Sequence, residues 1–170
     1  MNVTGEEKSG GGEVVTVATR LKSVHGQNIH FIFTPSQVEE VLPDDLTSWP
    51  VPFAPSFLRG LSFWRGQVVP VVDVEMVLDS SGGVETVKEC FFVVRSGMPK
   101  NYDYGEQKLV RWIMPVSGEI HTRDITEFVP IVDFVRIGIE SLFVRGVYEL
   151  NREVYIVPDV LSILQNPDHL

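Results

Sequence analysis

The residues of this chain that could do chemistry are its four histidines, its single cysteine and a few paired carboxylates. The histidines, at positions 25, 30, 121 and 169, lack the spacing and the neighbouring glutamate of a helix-borne zinc site. Cys90 lies in an apolar run, which predicts a buried, unreactive thiol. One cysteine forms neither an internal disulfide nor a multi-thiolate metal site. We therefore expect no metal and no cofactor.

The carboxylates and glycines form no catalytic constellation either. Glu39-Glu40 and Asp44-Asp45 could supply an acid and a base, but neighbours on a strand face opposite ways, which favours solvated surface charges. The segment 60–64 lacks the last glycine of a nucleophile elbow. Gly10-Gly11-Gly12 lacks the lysine of a phosphate-binding loop. These absences predict that the protein is not an enzyme, and a small hydrolase is the least favoured class.

The charge of the chain restricts its partners. Its 170 residues include 14 Lys and Arg against 23 Asp and Glu, a net charge of −9, which repels nucleic acid and anionic lipid surfaces. No segment approaches the roughly 18 consecutive apolar residues of a membrane span, and the N-terminus has no apolar stretch of a signal peptide. We expect a cytoplasmic protein that binds no nucleic acid and does not insert into a membrane.

Alternation of apolar and polar residues with period two dominates the chain and predicts an all-β fold with a few short helices. Strands are predicted from about residue 13 to 17 and at 29–33, 61–64, 67–74, 86–95, 108–116, 142–150 and 153–157. Short helical segments are predicted at 35–41, 56–59, 74–78 and 158–164, the last beginning with Pro158. Residues 1–12 and 166–170 are predicted to be tails.

An internal repeat relates two parts of this pattern. Displacing the chain by 86 residues aligns 57–78 with 143–164, and eight of the 22 aligned pairs are identical. Each copy reads as a strand, a tight hairpin, a returning strand and an aspartate, Asp73 or Asp159, that could cap a short helix. The repeat predicts two similar lobes, each a small barrel or half of one.

The hairpin of the first copy combines an aromatic residue with an arginine. Trp64 and Arg65 belong to the residue types that are enriched in protein–protein hot spots, and they stand beside an apolar strand. Equally, Trp64 could be a core residue and Arg65 a solvated turn residue. The residue types alone leave both interpretations open.

The hairpin stands within a long ordered motif, residues 52–74, PFAPSFLRGLSFWRGQVVPVVDV. This motif resembles the signature of the CheW-like adaptor family, which runs Pro, small residue, Phe, apolar, basic, Gly, then Leu-Arg-Gly, then Val/Ile-Pro-Val/Ile-Asp-Leu. Similar matches at 38–41 and 143–161 extend the resemblance over most of residues 13–165. The chain resembles a divergent member of the family, because Trp64 stands where the signature has the leucine of the hairpin tip. Pro115 replaces an acidic residue, which suits an edge strand or a bulge.

The resemblance implies two five-stranded, SH3-like β-barrel lobes around a shared core. It also implies a non-enzymatic adaptor without a cofactor, which joins the cytoplasmic tip of a methyl-accepting chemoreceptor to the regulatory domain of a CheA-type histidine kinase. The output would be chemotaxis or type IV pilus motility. The residues matched to partner contact are Arg65 with its neighbours Trp64 and Gly66, Val38 and Glu40 on a receptor-facing segment, and Gly60 near the kinase-contacting surface.

One alternative is a small-molecule sensor with a ligand pocket between the lobes, walled by Phe, Trp and Tyr side chains. Most of these aromatic residues stand at period-two positions, so core packing explains them more simply.

Overall fold

The computed structural model describes residues 11–79, 90–97, 109–116, 118–131, 137–139 and 141–165. Within these ranges the chain forms the strands β1 Glu13–Lys22, β2 Asn28–Phe33, β3 Val38–Leu42, β4 Leu58–Trp64, β5 Gln67–Val72, β6 Cys90–Gly97, β7 Leu109–Val116, β8 Ile120–Asp124, β9 Val129–Pro130, β10 Val144–Leu150 and β11 Glu153–Pro158. The helices are α1 Val74–Leu78 and α2 Val160–Gln165. Most of the predicted tails, 1–10 and 166–170, and residues 86–89 of one predicted strand lie outside the described residues.

The strands form two sheets with the same internal order. Lobe 1 is the six-stranded sheet β8-β1-β2-β11-β10-β9, and lobe 2 is the five-stranded sheet β3-β6-β7-β5-β4. Each contains one parallel pair, β2 with β11 and β5 with β7. If the two-residue β9 is set aside, β8, β1, β2, β11 and β10 occupy the places of β3, β6, β7, β5 and β4. The predicted all-β, two-lobed fold is confirmed, and lobe 1 has six strands because β9 adds a short edge.

The two hairpins of the repeat turn in the same way. Arg65 and Gly66 have φ of 46° and 80°, and Asn151 and Arg152 have φ of 54° and 66°. Positive φ at both central residues is the geometry of a type I′ turn, which matches the right-handed twist of the flanking strands. The predicted tight hairpins are therefore present in both copies.

Each copy also ends in the same polar arrangement. Asp73 and Asp159 accept a hydrogen bond from the backbone N–H three residues on, at 3.3 and 3.2 Å, and so cap α1 and α2. Arg59 lies 2.8 Å from Asp73, and Arg145 lies 3.2 Å from Asp159. Burial raises the pKa of Asp159, but the bonds from Arg145 and the helix backbone outweigh it and hold that pKa below its usual value. The predicted capping role is confirmed, and the arginine partners come from the same repeat.

Both lobes contribute to one core. Phe31 and Phe33 of β2 pack in a cluster with Phe92 of β6 and Trp112 of β7, all at most 2% exposed. The rings of Phe33 and Phe92 meet edge to face at a centroid distance of 6.4 Å. Each lobe has a second apolar cluster on the other face of its sheet. The implied shared core is confirmed.

The helix predicted at 158–164 is present as α2, which begins two residues later than predicted, at Val160. The helical predictions at 56–59 and 35–41 hold only for a turn at 56–57 and a 3-10 helix at Pro35–Gln37, because Leu58 and Val38 already begin the strands β4 and β3. Pro158 ends β11 instead of beginning a helix, because Asp159 takes the cap position. The predicted turn at 74–78 is present as α1.

The residue type of Pro115 predicts an edge strand or a bulge, but the structure places it in neither. It is in β7, an interior strand, opposite Phe91 in a ladder without a register shift. Because proline has no N–H, this can only be a non-hydrogen-bonded pair, and the missing donor faces away from β6. On that side β5 bridges β7 at Val71 and Ile113 and ends at Val72, so Pro115 lies beyond the paired part of β5.

Candidate partner-binding surface

The two outermost strands of lobe 2, β3 and β4, meet through side chains. The indole N–H of Trp64 donates to Glu40 Oε2 at 2.9 Å, and Arg65 Nη2 lies 2.8 Å from the same oxygen. The Arg65 guanidinium lies 4.8 Å from the centroid of the Trp64 ring, a cation–π contact. We call the contact between Glu40, Trp64 and Arg65 the seam. Because the seam joins the edges of the sheet, lobe 2 curls in the way that the predicted barrel requires.

The seam separates the two interpretations of the hairpin. Trp64 is only 9% exposed and packs with Val69, Val71 and Phe91 in the second apolar cluster of lobe 2, which makes it a core residue. Arg65 lies over its ring with 66% of its side chain exposed. Trp64 is therefore a core residue that supports Arg65, and Arg65 is held in an exposed position at the surface.

Glu39 belongs to the same surface, contrary to the prediction that Glu39 and Glu40 face opposite ways as solvated charges. The register shift between Val38 and Glu40 makes Glu39 an extra residue in β3, a bulge. Its carboxylate accepts bonds from Arg111 at 2.6 and 3.1 Å, and these bonds are the main reason why the pKa of Glu39 is lowered.

Two arginines of the neighbouring strands complete a charged cluster around the seam. Arg95 lies 3.5 Å from Glu39, and the Arg111 guanidinium lies 5.9 Å from the Trp64 ring centroid. Arg95 and Arg111 are directly opposite each other on β6 and β7. No local sequence signal marks them, because strand pairing brings them to β3.

The structure places the six predicted contact residues unequally. Glu40, Trp64 and Arg65 form the seam, and Gly66 is exposed at the hairpin tip. Val38 is half-buried and packs against the shared core. Gly60 is buried with φ of 150°, and a Cβ there would lie 2.4 Å from the carbonyl oxygen of Trp49. The binding roles of all six remain predictions, but Gly60 can act only from beneath the surface.

Exposed apolar side chains flank the seam. Phe63 and Val68 are 62% and 65% exposed and pair across β4 and β5. Trp49, 57% exposed, is fixed to β4 by two backbone bonds of 2.8 Å with Leu61. Aromatic residues and arginine on one surface are typical of protein interfaces. The period-two pattern could have found Phe63, since it alternates with the buried Trp64.

Other chemistry is weakly represented in the described residues. They contain no group of three or more His, Cys, Asp or Glu that could hold a metal ion. Cys90 is half-buried and packs against the shared core. None of the helices in the described ranges is long and apolar enough to cross a membrane.

Comparison with known proteins agrees with the architecture. The crystal structure of the scaffolding protein TtCheW from Thermoanaerobacter tengcongensis is similar, with a TM-score of 0.60 and 17% identity over 87% of this chain and 88% of that one. No curated protein matches the chain. The model of the CheW-like domain matches residues 21–168, which is most of the sequence. The chain therefore belongs to the CheW-like domain family.

Proposed function

We propose that this protein is a cytoplasmic adaptor that holds the tip of a methyl-accepting chemoreceptor and the regulatory domain of a CheA-type histidine kinase at the same time. Its class, a chemotaxis-type scaffold rather than an enzyme, follows from its family and agrees with the matched scaffolding protein. We propose chemotaxis or type IV pilus motility as the output of this adaptor.

The presentation of Arg65 is the observation that carries the proposal. Its guanidinium is held by Glu40 and by the Trp64 ring, yet 66% of the side chain is open to a partner. A side chain that is already ordered loses less conformational entropy on binding. The exposed Phe63 and Val68 beside it supply apolar area. An arginine anchor next to apolar residues fits a protein partner.

The mechanism that we infer is linkage. An adaptor that binds one state of the kinase more tightly than the other shifts the population by that difference in affinity and by no more. Each contact should be standard or small, about 1,200 to 2,000 Å² or less, centred on a few anchor residues.

Reconstitution tests this proposal. The full chain is mixed with a soluble receptor signalling fragment and a CheA-type kinase, and sedimentation and kinase autophosphorylation are measured. We expect a ternary complex and an altered rate of autophosphorylation, both dependent on the adaptor. Failure to bind either partner would overturn the proposal.

The sensor alternative gains no support. Within the described part of the chain, the shared core lies between the sheets, and its residues Phe31, Phe92 and Trp112 are at most 2% exposed. A ligand between the lobes would have to displace this packing, at the cost of opening a cavity.

A further inference from the structure

An open groove of about 330 Å³ lies beside the seam, between the segment 42–49 and residues 62–64 of β4. It is built by specific bonds. Ser62 Oγ donates to the carbonyl of Thr47 at 2.7 Å, and Trp49 and Leu61 exchange two backbone bonds of 2.8 Å. These bonds fix both walls, so the groove exists before anything binds.

The chemistry of the groove is apolar with one negative charge. Its apolar lining consists of Leu42, Pro43, Leu46, Trp49, Phe63 and Trp64. Trp49 and Phe63 remain 57% and 62% exposed on opposite walls, so aromatic surface is left uncovered. Asp45 is the charged residue of the lining. Together with the net charge of −9, it favours an apolar occupant that carries a positive charge.

We propose that this groove binds an extended, proline-rich peptide segment of a partner protein that carries a basic residue for Asp45. A polyproline II segment keeps its shape without internal hydrogen bonds and packs its rings against aromatic walls. Addition of a β-strand at the same place is blocked, because Trp49 already bonds the outer edge of β4 at Leu61. This inference does not require the receptor or the kinase.

A labelled peptide tests the groove directly. The probe is fluorescein-labelled Ala-Pro-Pro-Leu-Pro-Pro-Arg, titrated with the full chain and followed by anisotropy. Two comparison peptides carry Glu in place of Arg, or Ala in place of every Pro. We expect saturable binding of the probe and weaker binding of both comparison peptides, because the first loses the charge pair and the second loses the preformed shape.

Variants then locate the binding. Trp49→Ala, and Phe63→Ala on the opposite wall, should each weaken binding by about tenfold. Asp45→Asn should weaken binding of the probe severalfold but should not weaken binding of the Glu peptide, because asparagine removes the charge that attracts Arg and repels Glu. The control is Val129→Ala, an equally exposed apolar residue in lobe 1 (64%), with melting temperatures as the check on folding. No saturation, equal binding of the Ala peptide, or indifference to both aromatic variants would overturn the proposal.

Discussion

Trp64 and Glu40 join the two outermost strands of lobe 2 by one side-chain hydrogen bond of 2.9 Å, where the backbone ladder does not connect them. The same carboxylate oxygen holds Arg65. The Glu40 carboxylate therefore both closes lobe 2 and holds Arg65 in its exposed position. This geometry explains why a tryptophan can replace the leucine of the family signature: its ring fills the core while its N–H closes the seam.

Trp64→Phe should lower the free energy of unfolding by about 1 to 2 kcal/mol, because the hydrogen bond to Glu40 is lost while most of the buried apolar area remains. Trp49→Phe is the matched control, since Trp49 is 57% exposed and should change stability by less than about 0.5 kcal/mol. Urea denaturation measures both. Equal effects of the two substitutions would show that the Trp64–Glu40 hydrogen bond does not stabilise the protein.

Gly60→Ala should be far more damaging than Gly66→Ala. At Gly60 the new Cβ meets a backbone oxygen at 2.4 Å, whereas at Gly66 nothing lies within 4 Å and only the positive φ opposes the substitution. We expect a loss of about 3 kcal/mol at Gly60 and about 1 kcal/mol at Gly66. Thermal denaturation measures both, and a tolerated Gly60→Ala would show that Trp49 does not lie against β4.

Asp73→Asn and Asp159→Asn isolate the repeated ion pairs, because asparagine caps a helix about as well as aspartate. The side chain of Asp73 is 2% exposed and that of Asp159 is 19% exposed. We therefore expect losses of about 2 kcal/mol for Asp73→Asn and about 1 kcal/mol for Asp159→Asn. Chemical denaturation decides. A larger loss at Asp159 would mean that burial does not set the strength of these pairs.

His30→Gln should flatten the dependence of stability on pH. Burial, with Arg123 and His121 adding to it, lowers the pKa of His30 from 6.5, against the opposing effect of Glu153 at 3.3 Å. The Tyr155 ring stacks on the imidazole at 4.7 Å. The unfolded chain thus binds this proton more readily, so stability falls as the pH drops below 6.5 towards the folded pKa.

Unfolding free energies of the wild type and His30→Gln, measured between about pH 7 and pH 5, test that sign. The carboxyl groups with lowered pKa act at lower pH, because their stabilising effect is lost only as the pH falls below their unfolded values. Identical slopes of unfolding free energy against pH in the two proteins would show that His30 does not contribute to this pH dependence.

The sequence predicts best where short-range patterns and turn chemistry agree. The hairpin after Trp64 and the helix capped by Asp73 depend on residues close in the chain, and both are present. The strand β3 has no such pattern, since most of its residues are half-buried and the bulge at Glu39 interrupts any alternation. Its partners, Arg95 and Arg111, come from strands far along the chain.

The assembly of lobe 1 could not be predicted from the repeat. The repeat covers β10 and β11, but the lobe is completed by β1 and β2 from the other end of the chain, through the parallel pairing of His30 with Tyr155 and its neighbours. The prediction of an edge strand or a bulge at Pro115 was wrong for a related reason. The position of Pro115 relative to the end of β5 is set by tertiary pairing.

Calorimetric titration of the kinase regulatory domain and of the receptor fragment into wild type, Arg65→Ala and Arg152→Ala tests most directly whether Arg65 anchors a partner. Arg152 is the matched control, exposed at the equivalent hairpin tip of lobe 1. We predict that Arg65→Ala melts like the wild type but binds at least one partner about tenfold or more weakly, while Arg152→Ala binds normally. Unchanged affinity of Arg65→Ala for both partners would contradict it.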